Sequence, residues 1–576
     1  MSRRGRLWGV LLLAALVVSG AWLAHRARWR PLALAGEIPA DGYARASGVV
    51  HVHTTLSDGG GAPEEVIAAA RASGLDFVAI SDHNNVDALR FEGRHDGVLV
   101  LAGSELSTAA GHILGLGLEA DPLYRFSGGA VDGLLDIRDL GGFGFAAHPF
   151  STRDDLRFTG WDLPGPWGIE LINGDSEWRK AGPRLLVTVG LYGLNPRYAL
   201  LQTLNPADVA LARWDQMLAR RDVVGLYGAD AHSRLPVTRS FALRFPSYES
   251  LFSLARNHLL LDEPLGGSFE ADREAVLGAL RRGRFYLGLD GLAPADGFSF
   301  TVRSTTGRQW TMGESVSLED DLVARAGGRV PRGGRVRLLR DGRVIAEAGE
   351  ALEAPLPGPG VYRVEVRVEG WPVPWVLSNP VSVFDTTTLA ARERAAAWPD
   401  PPVPKGPVEV LDSFEGHTVF VSGHDPASEM DEPILDPTGG VGGGGAARIA
   451  FHLAEPTPAQ PHVFVALVSW EHRDLTGKQG LAFQIRGDGV FRTWVQVRDE
   501  NPASADEGTE WWFDSVKTSP EWREVAVPFE SLRSINPTTD GQLDLDKVRA
   551  IVFVIDKGAM KPGSRGTIWI DDVGVY

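Results

Sequence analysis

Seven short apolar runs between residues 48 and 227 constrain the fold more than any other feature of this sequence. Each run is bounded by turn residues, which is typical of strands buried on both faces. The runs are Gly48–Val50, Asp76–Ile80, Val98–Ala102, His112–Leu118, Gly144–Ala147, Gly168–Ile172 and Val223–Tyr227. Helical stretches separate several of them, such as 63–74, which begins with proline and early acids and ends with glycine. Alternating strands and helices predict a parallel sheet or barrel.

Side chains that ligate metals adjoin these runs. They are His51, His53, Asp58, His83, Glu105, His112, His148, Asp230 and His232. A two-residue spacing, as in His51 and His53, puts both side chains on one face of a strand end. One histidine beside an apolar run is usually structural, but nine such residues at one level are hard to explain by packing, because buried charges are costly unless paired or coordinated. Barrel active sites gather at strand ends, and these residues suit Zn, Mn or Fe.

These motifs resemble the PHP (polymerase and histidinol phosphatase) superfamily of metallohydrolases. The resemblance rests on 51–54 (HVHT), 57–59 (SDG), 81–84 (SDHN), 103–105 (GSE), 147–149 (AHP) and 229–232 (ADAH). It covers residues 47–290 and implies a distorted (β/α)7 barrel that binds two or three divalent metal ions. Residues 374–380 (PWVLSNP) are further similar to the carbaryl-hydrolase-like branch.

The resemblance also implies how the ligands are shared. One metal would be held by His51, His53, Glu105 and Asp230, with Glu105 bridging to a second metal held also by His112 and His148. A third would be held by Asp58, His83 and His232, where Asp58 stands in place of a histidine that some relatives carry. Asp82 would orient a ligand histidine.

Such a cluster predicts a metal-dependent hydrolase whose nucleophile is a multinuclear metal-activated hydroxide. The residues expected to take part in catalysis are His51, His53, Glu105, His148, Asp230 and His232. Phosphate esters fit this geometry best, so a phosphoesterase is the leading prediction. A carbamate, amide or ester hydrolase would use the same site. The alternative from another class is a non-catalytic glycan-binding scaffold, which the intact set of ligands disfavours.

Four further residues are predicted to bind substrate, either a small molecule or a glycan-linked one. Arg153 and Arg234 follow ligand histidines and have the bidentate geometry that phosphate recognition uses, with a surface salt bridge as the equal alternative. Glu170 and Asn173 lie at a strand end and are pocket candidates.

The N-terminus, residues 1–35, has the pattern of a signal peptide or signal anchor. Arg3, Arg4 and Arg6 precede an apolar run, 7–24, near the roughly 18-residue minimum for a membrane span. We expect an anchor, with the rest exported: membrane-anchored, periplasmic or secreted. A net charge of −17 argues against nucleic-acid binding, and the absence of cysteine excludes disulfides and thiol catalysis.

The sequence pattern departs from the strand–helix alternation in three places. Residues 176–215 interrupt the strand rhythm and are predicted to be an insertion that packs on the barrel, with membrane contact as the alternative. Alternating runs around Asp341-Gly342 predict a hairpin in a small immunoglobulin-like β-sandwich over 297–386. A Pro-rich linker is predicted over 387–407.

Residues 408–576 resemble carbohydrate-binding-like jelly rolls of the galactose-binding type. The resemblance rests on the opening 412–415 (DSFE), on 481–483 before 487–489, and on the closing 569–572 (WIDD). It implies a β jelly roll and carbohydrate as a partner, with Trp494, Trp511 and Trp512 as candidate stacking platforms. Asp571 and Asp572 are candidate ligands of a structural Ca²⁺.

Overall fold

The computed structural model describes residues 8, 13, 17, 20–180, 182–238, 241–318, 321–504, 508–534 and 536–576. The chain forms two compact units. The first consists of Met1–Asp121 with Gly128–Trp398, and the second of Pro122–Ser127 with Pro399–Tyr576. Among the described residues, no helix is both long enough and apolar enough to cross a membrane. Most of the predicted anchor, 7–24, lies outside the described residues.

Seven strands close into a barrel in the first unit. They are Ala44–Val52, Phe77–Ile80, Val98–Thr108, Gly111–Leu116, Phe143–Ala146, Trp167–Asn173 and Gly225–Ala231. They pair in this order, and the last pairs with the first to complete the ring. Gly111–Leu116 is antiparallel to both neighbours, whereas the other pairs are parallel. Each of the seven predicted runs overlaps one strand, and the antiparallel strand is the distortion in the predicted barrel.

Helices cover the barrel. Their bounds are Pro63–Ala72, Ala130–Asp139, Gly174–Arg179, Arg184–Tyr192, Pro196–Leu201, Asp208–Leu218, Tyr248–Phe252, Phe269–Arg282 and Thr386–Ala396, with a short 3₁₀ turn at Asp87–Phe91. The second unit has its own 3₁₀ turns at Val441–Gly443, Phe529–Ser531 and Leu545–Lys547. Residues 20–27 are helical as well. Capping explains several ends: Phe269–Arg282 begins where the Ser268 side chain accepts from Ala271 N, and stops at Gly283, whose φ is 75°.

The predicted insertion, 176–215, is helical. It spans the helices from Gly174 to Leu218, and Trp214 closes it against the barrel by donating from Nε1 to Val223 O at 2.8 Å. Leu191, Tyr198 and Ala199 bury a small separate cluster with Trp29. One side of this segment is therefore buried by packing within the first unit.

The first unit also holds the strands of the predicted sandwich. The remaining strands of this unit are Leu34–Ala35, Gly93–His95, Leu235–Pro236, Ala242–Leu243, Arg256–Leu261, Phe285–Gly288, Phe298–Arg303, Gln309–Thr311, Ser315–Ser317, Val323–Gly328, Val330–Pro331, Arg335–Arg340, Arg343–Ala348, Ala351–Pro355, Gly360–Arg367, Val376–Ser378 and Val381–Phe384. Arg335–Arg340 and Arg343–Ala348 form the hairpin expected at Asp341-Gly342. The predicted linker, 387–407, begins inside helix Thr386–Ala396 rather than as an extended segment.

Barrel and sandwich share one sheet. Arg256–Leu261 pairs with the beginning of the first barrel strand and with Phe285–Gly288, which pairs in turn with Val376–Ser378. Buried Asn379 joins the two parts: it accepts from Gly225 N at 2.8 Å and donates to Gly225 O at 3.0 Å. The beginning of the last barrel strand, at Gly225, is therefore held by a residue of the sandwich.

The second unit is built from two antiparallel sheets. Its strands are Glu409–Asp412, Phe420–His424, Glu429–Met430, Leu435–Asp436, Ala446–His452, Phe464–Ser469, Gly480–Gly487, Arg492–Glu500, Thr509–Lys517, Arg523–Pro528, Arg533–Ser534, Val548–Asp556 and Arg565–Val575. They form a seven-stranded and a six-stranded sheet over a shared core that includes Phe483, Phe553 and Ile570. This is a β-sandwich, and its jelly-roll connectivity stays a prediction.

Side chains predicted to bind ligands in this unit are held by its own contacts. Trp512 is buried and donates to Asp499, so its prediction as a sugar platform is wrong: residues alternate between the two faces of a strand, and Trp512 takes the inner one. Arg498 stacks 3.9 Å from the ring centroid of Trp511, and Trp494 donates to Asp556. Carbohydrate binding stays a prediction.

The predicted Ca²⁺ ligands also have local partners. Asp571 accepts from the backbone N–H groups of Val441 and Asp572, both at 2.8 Å. Burial, together with neighbouring Asp572 and Glu415, raises the pKa of Asp571. Among the described residues, all the clusters of His, Asp and Glu that suit a metal lie in the barrel. Calcium in the second unit therefore stays a prediction.

Candidate metal centre

The barrel brings all nine predicted ligands to one end. Parallel strands deliver residues from their carboxyl ends, as Ala44–Val52 does with His51. His112 instead begins its strand, and it reaches the same end because Gly111–Leu116 runs antiparallel. The strand direction therefore explains why one ligand precedes its apolar run while the others follow theirs.

Glu105 lies at the middle of the cluster and is 1% exposed. Five imidazoles surround its carboxylate. Oε2 lies 3.1 Å from His51 Nε2, 3.0 Å from His53 Nε2 and 3.3 Å from His83 Nδ1, while Oε1 lies 2.9 Å from His112 Nδ1 and 2.8 Å from His148 Nε2. Each oxygen thus faces its own set of imidazoles, which is how a carboxylate that bridges two cations is arranged.

Two further carboxylates complete the cluster. Asp230 Oδ1 lies 3.4 Å from His51 Nε2, from His53 Nε2 and from His232 Nδ1. Asp58 Oδ1 lies 3.3 Å from His232 Nε2, 3.6 Å from His53 Nδ1 and 3.8 Å from His83 Nε2. Asp58 is the most exposed of these groups, so this part of the cluster opens toward solvent.

Several nitrogen and oxygen atoms that could ligate a metal are buried in the cluster without a hydrogen-bond partner. They are His51 Nε2, His53 Nδ1, His53 Nε2, His83 Nδ1 and Asp230 Oδ1. Leaving such an atom unsatisfied costs about 1–3 kcal/mol. Ligand atoms about 2.1 Å from one ion lie about 3.0–3.4 Å apart when they subtend roughly 90–109° at it. The separations of 3.0–3.4 Å from His51 and His53 to Glu105 and Asp230 match that spacing, so these residues fit a divalent cation.

Among the described residues, three overlapping groups could each hold a metal ion. They comprise His51, His53, Glu105 and Asp230; His53, Asp58, His83 and His232; and His83, Glu105 and His112. The first is the group that the resemblance assigns to one metal. The other two differ from the expected division because His53 and His83 each offer both ring nitrogens and join two groups. His148 belongs to none of these groups and joins the cluster through the contact of its Nε2 with Glu105 Oε1.

Glu170 and Asn173, the two pocket candidates at a strand end, are buried beside the cluster. Their role in binding substrate stays a prediction. Glu170 accepts from His51 Nδ1 at 2.6 Å and from the His148 backbone N at 2.6 Å. Asn173 donates to Glu170 at 2.8 Å. Donation from Nδ1 leaves His51 Nε2 free as a ligand, so Glu170 positions His51. A side chain on Gly228 would overlap Glu170, which explains the glycine.

Backbone strain is concentrated at the ligands. His51, His148 and Asp230 have φ values of 65°, 31° and 49°. Non-glycine residues rarely adopt this left-handed region, and each costs about 1–3 kcal/mol unless its surroundings hold it. Here Glu170 holds two of the three, His51 through its ring and His148 through its backbone. The hydrogen bonds to Glu170 therefore hold His51 and His148 in backbone conformations that these residues would not adopt by themselves.

The carboxylates and imidazoles shift one another's pKa values. Burial opposes the charged form of His148, but Glu105 and Asp230 outweigh it and raise its pKa to about 9. Burial likewise opposes the charge on His232, while Asp58 and Asp230 raise its pKa to about 10. Burial raises the pKa of Glu105, yet the surrounding imidazoles hold it well below its usual range. The same negative charge that retains these protons favours bound cations.

A cavity of about 290 Å³ opens above the cluster. Its lining combines metal-ligand candidates with cationic side chains: Asp58, His83, Glu105, His112, His148, Arg153, Leu156, Asp175, Arg179, Asp230, His232, Arg234 and Pro236. Arg153 and Arg234 are among these residues, and their role in binding substrate stays a prediction. Arg153 also pairs with exposed Asp155 at 2.6 Å, and Arg234 donates to Asp58 O at 3.0 Å.

Sequence reasoning missed Arg179 and Asp175. They pair with each other on helix Gly174–Arg179, and Arg179 lies 4.4 Å from the ring centroid of Trp178. Their four-residue spacing directly after a strand end was the available signal, because residues four apart share one face of a helix.

Asp82, expected to orient a ligand histidine, holds a loop instead. It accepts from Thr54 N at 2.8 Å, Thr54 Oγ1 at 2.7 Å and Ser57 Oγ at 2.5 Å. This loop leads to Asp58. Asp82 therefore positions a carboxylate ligand through the backbone that carries it.

The chain is similar to one curated protein, and no family model matches it. It is 32% identical over 117 residues to the uncharacterized protein MJ1587 of Methanocaldococcus jannaschii, a match that covers 18% of this chain and 67% of that protein.

Two solved structures are similar to larger parts of the chain. A two-domain protein of Bacteroides vulgatus containing a predicted PHP-like metal-dependent phosphoesterase is 14% identical, with 61% of this chain and 99% of that chain covered and a TM-score of 0.29. The family 11 carbohydrate-binding module of Clostridium thermocellum, in complex with a β-1,3-1,4-mixed-linked tetrasaccharide, is 18% identical, with 29% and 94% covered and a TM-score of 0.24. TM-scores this low do not establish a shared fold.

Proposed function

The chain belongs to the same family as the uncharacterized protein MJ1587, and we propose that it is a metal-dependent hydrolase of the PHP type, acting as a phosphoesterase. One observation carries the proposal: the Glu105 carboxylate is shared among five imidazoles, and several of their buried nitrogens have no hydrogen-bond partner. The finer assignment to the carbaryl-hydrolase-like branch rests only on residues 374–380.

The ligand groups define which residues would hold the cations. His51, His53, Glu105 and Asp230 would hold one, and Glu105 would share its second oxygen with another near His112 and His148. Bound divalent cations supply a nucleophile from water near neutral pH and neutralise charge that develops on the substrate. Zn, Mn and Fe all suit a set of imidazoles and carboxylates.

The protein's own residues supply orientation and charge. Glu170 fixes the ring of His51 so that Nε2 points into the cluster. Arg153, Arg179 and Arg234 place positive charge around a cavity of about 290 Å³. A guanidinium binds phosphate oxygens through two parallel hydrogen bonds, which favours phosphate esters as substrates. The cavity size suits a small phosphorylated group rather than a folded macromolecule.

A carbamate, amide or ester hydrolase remains the second candidate on the same site. Such substrates become anionic at one oxygen during attack, and a single arginine would then suffice. The cluster of three arginines at the cavity favours the phosphoester over these neutral substrates.

The test is a panel of aryl phosphate, phosphodiester, carboxyl-ester and carbamate substrates with metal-loaded protein. We expect hydrolysis of a phosphate substrate that is lost in His51→Ala. The matched control is His258→Gln, since His258 is also buried in this unit but pairs with Asp290 away from the cluster. Faster turnover of the carbamate or ester would select the second candidate. Metal binding without turnover of any substrate would leave the scaffold as the better account.

We place the enzyme outside the cytoplasm, attached through residues 1–35 or released from them, on the basis of the N-terminal pattern. The second unit would then position it on a carbohydrate. Exposed Trp470 is a stacking candidate there, although Arg498 lies 5.9 Å from its ring centroid. Glycan-array binding by the full chain, lost in Trp470→Ala, is the corresponding test.

A further inference from the structure

Helix Arg184–Tyr192 exposes aliphatic side chains to solvent and buries a polar one, which is unusual for a surface helix. Leu186 is 82% exposed, whereas Thr188 is 3% exposed. Val187 and Val189 are exposed as well. A surface helix normally packs its aliphatic stripe inward and shows its polar residues. This helix buries Thr188 beside Leu191 and exposes three aliphatic side chains, so its outer side fits an apolar environment better than water.

A neighbouring hairpin shows the same property. Strands Leu235–Pro236 and Ala242–Leu243 pair, and Val237 and Phe241 between them are exposed. The hairpin runs into Phe245, whose ring centroid lies 4.7 Å from that of Tyr192 at the end of the helix. We call this surface the apolar face; it comprises Leu186, Val187, Val189, Leu194, Val237 and Phe241. Clusters of exposed apolar side chains on soluble domains mark interaction sites.

The N-terminal segment meets the fold beside the apolar face. Asn195 directly follows Leu194, and its Nδ2 donates to the carbonyls of Arg26 at 3.4 Å and Trp29 at 3.0 Å. Tyr198 lies 5.4 Å from the ring of Trp29. Residues 20–27 are helical, and Trp22 and Leu23 there are exposed. The apolar N-terminal run is thus joined to the fold next to the apolar face.

Charge near this surface is net positive. Residues 1–36 and 178–207 contain no Asp or Glu, although the whole chain has a net charge of −17. The second range carries Arg184 and Arg197, together with Arg179 and Lys180, which pair with Asp175 and Glu177 just before it. Basic residues near a bilayer are attracted by anionic lipids, at about 1 kcal/mol each. A second copy of this surface would bring like charges together, so charge favours anionic lipid over self-association.

We propose that the apolar face docks on the surface of an anionic lipid bilayer. Helix Arg184–Tyr192 lies in the interface with Leu186, Val187 and Val189 in the acyl boundary, as interfacial helices do. Docking also orients the metal centre, because two residues that line its cavity lie close in sequence to the apolar face. Arg234 directly precedes strand Leu235–Pro236, and Arg179 lies five residues before helix Arg184–Tyr192. The cavity therefore opens beside the lipid headgroups.

The chain has no cysteine, so single cysteines can be labelled without background. We would place an environment-sensitive fluorophore at Leu186→Cys, Val189→Cys or Phe241→Cys in the full chain. The matched control is Val209→Cys, because Val209 is 73% exposed but lies on helix Asp208–Leu218, outside the apolar face. Each protein is mixed with phosphatidylcholine–phosphatidylglycerol vesicles that contain spin-labelled lipid. The control reports what tethering by the N-terminal segment alone produces.

We expect the three labels to shift to shorter wavelength and to be quenched by the spin-labelled lipid, with no change at residue 209. Quenching should be stronger for a spin label near the headgroup than for one at the acyl end, since interfacial helices lie only about 5–10 Å into the boundary. It should weaken when phosphatidylglycerol is omitted.

Equal signals at residues 186 and 209 would overturn the proposal, because tethering alone would then explain any association. A shift that depends on protein concentration without vesicles would also overturn it and identify self-association. All four positions are exposed, so the substitutions leave the core intact, and unchanged thermal unfolding checks this directly.

Discussion

Replacing Glu170 by glutamine removes a buried charge beside the metal centre, and we expect it to weaken metal binding. Glu170 accepts two hydrogen bonds of 2.6 Å, one from the ring of His51 and one from the backbone of His148. A glutamine of the same shape can accept only one of them through its oxygen. Its NH₂ group would face a donor at the other, so one ligand loses its support in either orientation.

The expected loss of metal affinity follows from the two residues that these hydrogen bonds support. Both supported residues have left-handed backbones, which cost about 1–3 kcal/mol each when nothing maintains them. Loss of a partner that orients a ligand histidine lowers metal affinity about 10–100-fold in known sites. We therefore expect Glu170→Gln to bind Zn²⁺ about 10–100-fold more weakly than the wild type, which corresponds to about 1.4–2.7 kcal/mol.

The assay is competition for Zn²⁺ against a chromophoric chelator. Glu365→Gln is the matched control, because Glu365 is also buried in the first unit but pairs with Arg363 in the sandwich. Gly228→Ala should reproduce the defect by displacing Glu170. Wild-type affinity in both Glu170→Gln and Gly228→Ala would refute the role assigned to Glu170. Equal weakening in Glu365→Gln would show that the effect is one of general stability.

Three further expectations follow from the site and its support. The raised pKa values of about 9 for His148 and about 10 for His232 mean that both rings are protonated at pH 7 in the metal-free protein. Cations must displace those protons, so Zn²⁺ affinity should rise with pH toward 9–10, with proton release on binding at pH 7 in weakly buffered calorimetry. An affinity that does not depend on pH would contradict this. Arg153→Ala and Arg234→Ala should each lower kcat/KM for an aryl phosphate about 10–150-fold by removing a charged hydrogen bond, with unchanged metal content by elemental analysis. An unchanged kcat/KM would leave these side chains as surface pairs. Asn379→Ala leaves buried backbone groups unpaired, so it should lower the free energy of unfolding by about 2–5 kcal/mol. The change should be seen as a lower Tm for the first unit. An unchanged Tm would show that the barrel does not rely on the sandwich.

The barrel strands and the cluster of candidate ligands were predictable from sequence, for one physical reason. Strands buried on both faces are continuous apolar runs, and functional residues cluster where such strands end. His51, Glu105 and Asp230 could therefore be found without coordinates. The direction of Gly111–Leu116 could not be read in this way, because a buried run looks the same in either direction.

Features that depend on distant partners were not predictable. Glu170 is predicted as a pocket residue because it sits at a strand end, and its hydrogen bond with His51, 119 residues earlier, could not be read from the sequence. Asn379 joins the barrel to the sandwich across 154 residues. The inverted exposure of Thr188 also required coordinates, since a short aliphatic helix has no polar stripe to reveal which side is buried.

The most informative single measurement is the metal content of the purified full chain after reconstitution with Zn, Mn or Fe. Elemental analysis should give two or more ions per chain in the wild type and fewer in His53→Ala, because His53 belongs to two of the three ligand groups. A wild-type protein that retains no ion from any of the three metals would contradict the existence of the metal centre and, with it, the proposed hydrolase.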